Sequence, residues 1–146
     1  MIGRFSGTHA FLSNFYQAPT WYEGLLFPTS EHAYQAAKTL DTEERLQILK
    51  CATPAIAKRL GRALTLRKNW ELIKVQEMYS IVYSKFQVEH LRELLLRTGD
   101  AELVEGNTWH DNFWGDCCCG SRTLCLDPGL NTLGIILMEI RWEVAE

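Results

Sequence analysis

The segment Glu31-His32-Ala33-Tyr34-Gln35-Ala36-Ala37-Lys38 carries the residue types of an acid–base site at helical spacing. At about 100° per residue, Glu31, Tyr34, Gln35 and Lys38 fall on one face of a helix and Ala33, Ala36 and Ala37 on its back. The small back permits close packing, so the polar front can be held rigidly. A carboxylate and an amine two turns apart can share a partner between them, and burial with mutual charge tunes both for proton transfer or nucleophilic attack. The competing reading of these residues is an exposed charge pair on an alanine-rich surface helix.

A second cluster runs from Glu105 to Asp116, where Trp109 and Trp114 are interleaved with Asp111, His110 and two Asn residues. Indoles beside carboxylates and amides suit a loop that grips a planar base or a sugar. Trp109 and Trp114 plugging the core, with His110 as an ordinary hydrogen-bonding residue, is the plainer alternative. Arg62 and Arg67, and also Arg4 and Arg141, are candidates for phosphate.

Cys117, Cys118, Cys119 and Cys125 invite a metal. Structural zinc sites usually pair two separated Cys-x(2–4)-Cys knuckles, and neither pair here has that spacing. No metal ligand is assigned, and no cofactor is expected. The glycines at 3, 7, 129 and 134 match neither a phosphate loop nor a dinucleotide fold.

The elements that must position these groups follow from capping signals and apolar periodicity. Thr29 and Ser30 stand as N-caps before the Glu31–Lys38 run, Asp41 and Glu44 as an approximate capping box for a helix reaching about Lys50, and Thr53-Pro54 as the start of a third helix with Ile56, Leu60 and Ala63 inward. Asn69 is expected to cap a longer helix buried through Leu72, Val75, Tyr79, Val82 and Phe86. Val88, Leu91 and Leu95 then line a short helix stopped at Thr98-Gly99, and Asn131 caps a last one buried through Leu133, Ile136, Leu137 and Ile140. The first 28 residues form an aromatic-rich, irregular arm with strands. Glu102–Glu105 reads as a strand before a Gly106-Asn107 turn, and Trp109–Leu130 as a long loop. The fold class is α+β, mainly α, in a single domain spanning 1–146.

Composition agrees. The 146 residues are 47% apolar and 23% charged, enough to bury a core and unlike a disordered chain, and the net charge of −3 argues against a sequence-independent coat for DNA. The charge is uneven: six basic residues and one acid lie between Lys58 and Lys74, five acids and no Lys or Arg between Asp100 and Gly120. Solvated helix faces account for such runs as readily as a phosphate wall facing a carboxylate wall. No apolar run approaches a membrane span, and an odd number of cysteines with three consecutive suits a reducing compartment, so a cytoplasmic protein is expected.

Leu12-Ser13-Asn14-Phe15-Tyr16, Glu31 through Lys38, Gly61-Arg62, Trp70, Met78, Lys85-Phe86, Thr98-Gly99, Leu103-Val104-Glu105, Asp111 through Gly115, and Asn131-Thr132-Leu133-Gly134 through Arg141 together resemble, in order, the NADAR family, also called YbiA-like. The resemblance implies a mainly helical α+β domain that hydrolyses ribosyl groups bonded to nitrogen. Two substrate classes are associated with it: ADP-ribose on the guanine amino group of nucleic acid, and phosphorylated ribosylamino-pyrimidine intermediates of riboflavin synthesis. It also implies Glu31 and Lys38 as the acid-and-lysine helix, Asp111 as the acidic loop, and Trp70 and Trp114 as aromatic walls. Asn14, Asn131, Gly134 and Arg141 frame the site or hold it together, while Phe15, Tyr34 and Arg62 are assigned to substrate contact. The Cys-rich stretch between Gly115 and Asn131 departs from the family pattern.

Breaking a ribosyl C–N bond develops positive charge on the anomeric carbon and ring oxygen, which calls for an anion or a nucleophile and for help to the departing nitrogen. Glu31 is expected as acid/base and Lys38 as nucleophile or electrostatic partner, with Asp111 able to exchange roles. A non-catalytic module for ADP-ribose-like nucleotides and a zinc-stabilised interaction domain are the alternatives from other classes. No membrane and no particular protein partner is implied.

Overall fold

The structure is a computed structural model that describes residues 1–121 and 124–146. It is α+β and mainly α. Although no linker composition marks a boundary, the chain gathers into two compact units, Asn14–Val88 and a second made of Met1–Ser13 with Glu89–Glu146.

The Asn14–Val88 unit opens with a hairpin in which β1 (Thr20–Tyr22) pairs antiparallel with β2 (Leu25–Phe27). Its two-residue connection, Glu23-Gly24, has φ of 45° and 83°, the positive-φ pair that matches strand twist in a tight hairpin. Helix α1 (Ser30–Ala37) follows and is buried along its whole length. Ala33, Ala36 and Ala37 are fully enclosed, so the small back does allow close approach. Helix α2 (Thr42–Leu49) is capped by Asp41, whose carboxylate accepts from the backbone N–H of Glu43 and Glu44. The reciprocal half of the expected box is missing, because Glu44 instead accepts from the Thr39 hydroxyl and the Thr65 N–H. Thr53 caps α3 (Pro54–Leu60) as expected, but the inward residue is Ala57; Ile56 is exposed, which corrects the predicted stripe.

Helix α4 (Trp70–Lys85) keeps the end of its expected stripe, Val82 and the following Phe86, and departs from it at the start. Trp70, Met78, Ile81, Val82 and Lys85 are buried, whereas Leu72 and Val75 face solvent. The expected stripe counted only apolar residues, and the true face ends on a lysine. Asn69 adopts φ 61° and makes no side-chain cap bond.

In the other unit a 3-10 turn, Gly7–Leu12, stands inside the arm expected to be irregular. Helix α5 (Glu89–Arg97) buries Leu91 and Leu95 but leaves Val88 exposed, and Gly99 ends it with φ 63°. Helix α6 (Thr132–Val144) buries Leu133, Ile136, Leu137 and Ile140 as expected. The strand expected at 102–105 is reduced to a single parallel bridge between Ile2 and Leu103. The predicted turn is itself a strand: β3 (Gly106–Asn107) pairs in parallel with β4 (Asp116–Cys117), inside the segment read as loop. That ladder joins residues ten apart, which no local pattern announces. Residues 122 and 123 of the predicted loop lie outside the described residues. Among the described residues, no helix is long and apolar enough to cross a membrane.

Candidate active site on helix α1

Helix α1 starts where a local network fixes it. The Thr29 hydroxyl oxygen accepts from the His32 backbone N–H at 3.1 Å and lies 2.7 Å from His32 Nδ1, while Nε2 of the same ring is 2.9 Å from the Cys51 carbonyl. A carbonyl only accepts, so Nε2 carries the proton and the Thr29 hydroxyl donates to Nδ1. His32 is thereby committed to structure.

The next residue is the candidate acid. Glu31 is nearly buried, its backbone N–H donates to the Asn14 carbonyl, and its Oε1 accepts from Gln35 Nε2 at 2.8 Å, one turn along the helix. That bond orients the Gln35 amide and leaves its Oε1 buried; among the described residues this oxygen meets no donor. A buried acceptor without a donor is costly unless something else fills the role. Asn14 is held beside the helix by Ser30, whose hydroxyl is 2.9 Å from Asn14 Oδ1, and by Met78, whose sulfur accepts from Asn14 Nδ2.

Lys38 sits at the C-cap of α1, half-buried, with Nζ 5.6 Å from the centre of the Tyr34 ring. Its neighbouring backbone is pinned by Arg67, which donates to the Lys38 carbonyl from its N–H and to the Ala37 carbonyl from its guanidinium. Burial lowers the Lys38 amine below the ordinary lysine range; the Glu31 carboxylate pulls it back up, and the charges of Lys58, Arg62 and Lys74 push it down further. The basic stretch read from the sequence therefore surrounds this amine electrostatically. Trp70 is buried against Tyr34, with centroids 5.5 Å apart at 50°. Phe15 is partly exposed beneath Lys58, whose Nζ is 5.9 Å from its ring centre.

Lys85 is a residue that the sequence reading missed as a chemical group. It is 1% exposed between the rings of Tyr16 and Phe86, and burial pushes its amine down to about 7. Its position one turn after Ile81 and Val82, on the face of Met78, is the signal that would have found it.

The remaining expected site residues belong to the other unit and are occupied in holding it. Asp111 Oδ1 accepts from the backbone N–H of Phe113 and Trp114, and the fully buried Asn107 ties the same turn by bonding to Trp109 and Asp111. The Trp114 ring meets Phe113 edge-on at 4.8 Å. Asn131 does not cap α6 with its side chain; it bridges the Glu105 N–H and the Leu103 carbonyl. Gly134 lies so close to these groups that a Cβ there would stand 2.1 Å from the Leu103 oxygen. Arg141 donates to Thr98 Oγ1 and the Ala101 carbonyl, which secures the end of α5.

The spacing argument against a metal also needs correcting. Cys117, Cys119, Cys125 and His110 present donor atoms all within 4.8 Å of one another, gathered by the fold of the loop rather than by a knuckle.

Residues 3–145 match the family model of the NADAR domain. The chain is 43% identical over 136 residues to N-glycosidase YbiA of Escherichia coli, covering 91% of this chain and 80% of that protein. It is 40% identical over 141 residues to a riboflavin biosynthesis protein of Vibrio vulnificus, covering 94% of this chain but 36% of the longer relative. The NMR structure of E. coli YbiA superposes with a TM-score of 0.82 and 40% identity, covering 99% of this chain and 85% of that one.

Proposed function

The chain belongs to the NADAR domain family, and we infer that it is an N-glycosidase, a hydrolase that cleaves a ribosyl carbon–nitrogen bond. The observation that carries this reading is the acid–amine pair of α1. A nearly buried carboxylate and a half-buried amine share one helix, and burial makes the amine give up its proton, and so become nucleophilic, at a lower pH than free lysine. A module that only binds phosphate needs donors, not a sheltered carboxylate beside a deprotonatable amine.

In the proposed reaction the free amine of Lys38 attacks the anomeric carbon as the C–N bond breaks, and the Glu31 carboxylate takes the proton that Nζ sheds and passes it to the departing nitrogen. The second Nζ proton goes to the ring oxygen as the sugar opens to an imine on Lys38, and water, deprotonated by Glu31, adds to that imine and releases the sugar and the free amine. Gln35 Oε1 supplies the acceptor for a ribose hydroxyl or a substrate amine, which satisfies the oxygen that the fold leaves without a donor. Lys58, Arg62 and Lys74 meet phosphate. The substrate is ADP-ribose on guanine of nucleic acid or a phosphorylated ribosylamino-pyrimidine, the latter favoured by the name of the Vibrio relative. Five cysteines free of disulfides fit a reducing, cytoplasmic setting.

The test is product analysis with the two substrates side by side, and borohydride added during turnover. Release of free base or sugar phosphate, with a reduced adduct mapped to Lys38, supports the mechanism. Tight binding of both substrates with no product would reduce the protein to a nucleotide-binding module.

A further inference from the structure

Of the five cysteines, three converge and two do not, and the pattern has a local cause. β4 ends at Cys117, but the Cys118 N–H still bonds the Asn107 carbonyl, so the side chains of Cys117 and Cys118 alternate in direction before the chain bends at Cys119. Cys117 and Cys119 join the cluster, while Cys118 turns the other way to the Asn107 carbonyl and the Arg4 guanidinium. Cys125 returns from the far side of the loop. His110, with φ 70°, directs its Nδ1 toward all three sulfurs, at 3.3 Å from Cys125, 3.5 Å from Cys119 and 3.8 Å from Cys117.

Hydrogen bonding cannot account for that convergence. An imidazole nitrogen offers one lone pair or one N–H, so it can bond one of the three sulfurs that crowd it and not all three together. A tetrahedral cation satisfies all four donors together. With zinc–sulfur bonds of about 2.3 Å and zinc–nitrogen bonds of about 2.0 Å, neighbouring donors of a tetrahedron stand roughly 3.5–3.8 Å apart, the scale found here. The surroundings suit thiolates as well: Asn112 Nδ2 donates to Cys125 Sγ at 3.2 Å, and the Ser121 N–H to Cys119 Sγ at 3.3 Å. Such N–H···S bonds orient and stabilise metal-bound sulfur. Asn112 also accepts from the Cys117 N–H, so one amide braces two members of the set.

We propose that His110, Cys117, Cys119 and Cys125 form a structural zinc site. Soft thiolates with one imidazole in tetrahedral array select zinc over the hard divalent cations, and four protein donors close the coordination sphere to water. Each thiol gives up its proton on binding, and no electron is transferred. The ion staples the loop whose first turn carries Asp111, Asn112, Phe113 and Trp114. It lies apart in role from the hydrolytic chemistry of α1.

Metal analysis of untagged protein, purified under reducing conditions without chelator, tests this directly. One zinc per chain is expected, and cobalt substitution should give the intense visible absorption of a tetrahedral thiolate complex. Cys119→Ser, Cys125→Ser and His110→Ala each remove a direct ligand and should weaken zinc binding by more than the roughly 10–100-fold that loss of an outer-shell partner costs. Cys118→Ser, one residue away and outside the cluster, should keep the full equivalent. Stripping zinc should expose the 117–129 segment to protease while far-ultraviolet circular dichroism holds, which separates loss of the staple from loss of the fold. Less than a tenth of an equivalent after reconstitution, equal losses in Cys118→Ser and Cys119→Ser, or a disulfide among these residues in the freshly isolated protein would each overturn the site.

Discussion

Helix α1 and the Glu105–Asn131 segment are built from the same residue types, yet their polar groups are employed differently. Around α1 the carboxylate of Glu31 accepts from the Gln35 amide, Gln35 keeps an acceptor in reserve, and Lys38 is left as a half-buried amine. In the loop, Asp111, Asn107 and Asn131 each bond to two or more backbone groups. Backbone amides that form no regular ladder must be satisfied somehow, and here side chains do it. Acidic and amide side chains therefore announce chemistry only where secondary structure has already satisfied the main chain.

The largest effect that this contrast predicts is at Glu31. Glu31→Gln should lower kcat by about 10²–10⁴-fold with an intact circular dichroism spectrum, because the isostere keeps the packing and loses the proton transfer. Lys38→Ala should cost about a hundredfold or more in kcat and abolish the borohydride adduct, and Lys38→Arg should restore neither. Replacements in the loop, and at the α6 glycine packed on Leu103 and Asn131, should show first in stability. Gly134→Ala, which drives a methyl into the Leu103 carbonyl, should destabilise the fold by about 2–3 kcal/mol in urea denaturation. Asp111→Ala should cost about 1–2 kcal/mol, with Asp111→Asn recovering most of it through the retained acceptor. Should Asp111→Asn prove as inactive as Glu31→Gln while remaining folded, the contrast between the two regions would fail.

The remaining effect is on pH dependence. Folding holds Lys85 at about 7 against 10.5 for an exposed lysine, so the unfolded chain binds more protons across that interval. Stability should thus rise with pH from about 7 toward 10.5. The urea midpoint should climb between neutral and mildly alkaline buffer in the wild type and stay flatter in Lys85→Met. Lys38 offers the complementary reading: its acylation rate should have a midpoint below the ordinary lysine range, and Glu31→Gln should move it lower by removing the charge that raises it.

Sequence made three caps plain, while Asn69 and Asn131, also expected to cap, make no such bond. Thr29, Asp41 and Thr53 act within three residues of themselves, and their chemistry is local. The register of α4 was partly hidden because its buried face ends in Lys85 while Leu72 and Val75 lie outside, so a count of apolar residues misplaces the start of the stripe. The Gly106–Asn107 strand was hidden for a different reason: its partner is Asp116–Cys117, and parallel pairing leaves no alternation in two residues. On α1 the face was legible from spacing, but the reserve acceptor on Gln35 and the cations around Lys38 depend on how distant elements pack. The convergence of His110 with three cysteines follows from one left-handed residue and one alternating strand, neither of which spacing rules consider.

Gly61 bears on the acid from a distance. A β-carbon at that position would fall 1.9 Å from Gln35 Oε1, so any larger residue must evict the amide and with it the donor that steadies the Glu31 carboxylate. The tuning of the acid is thus written partly in an atom the chain omits thirty residues downstream. A screen for altered specificity that overlooks position 61 would miss a control knob touching neither sugar nor base.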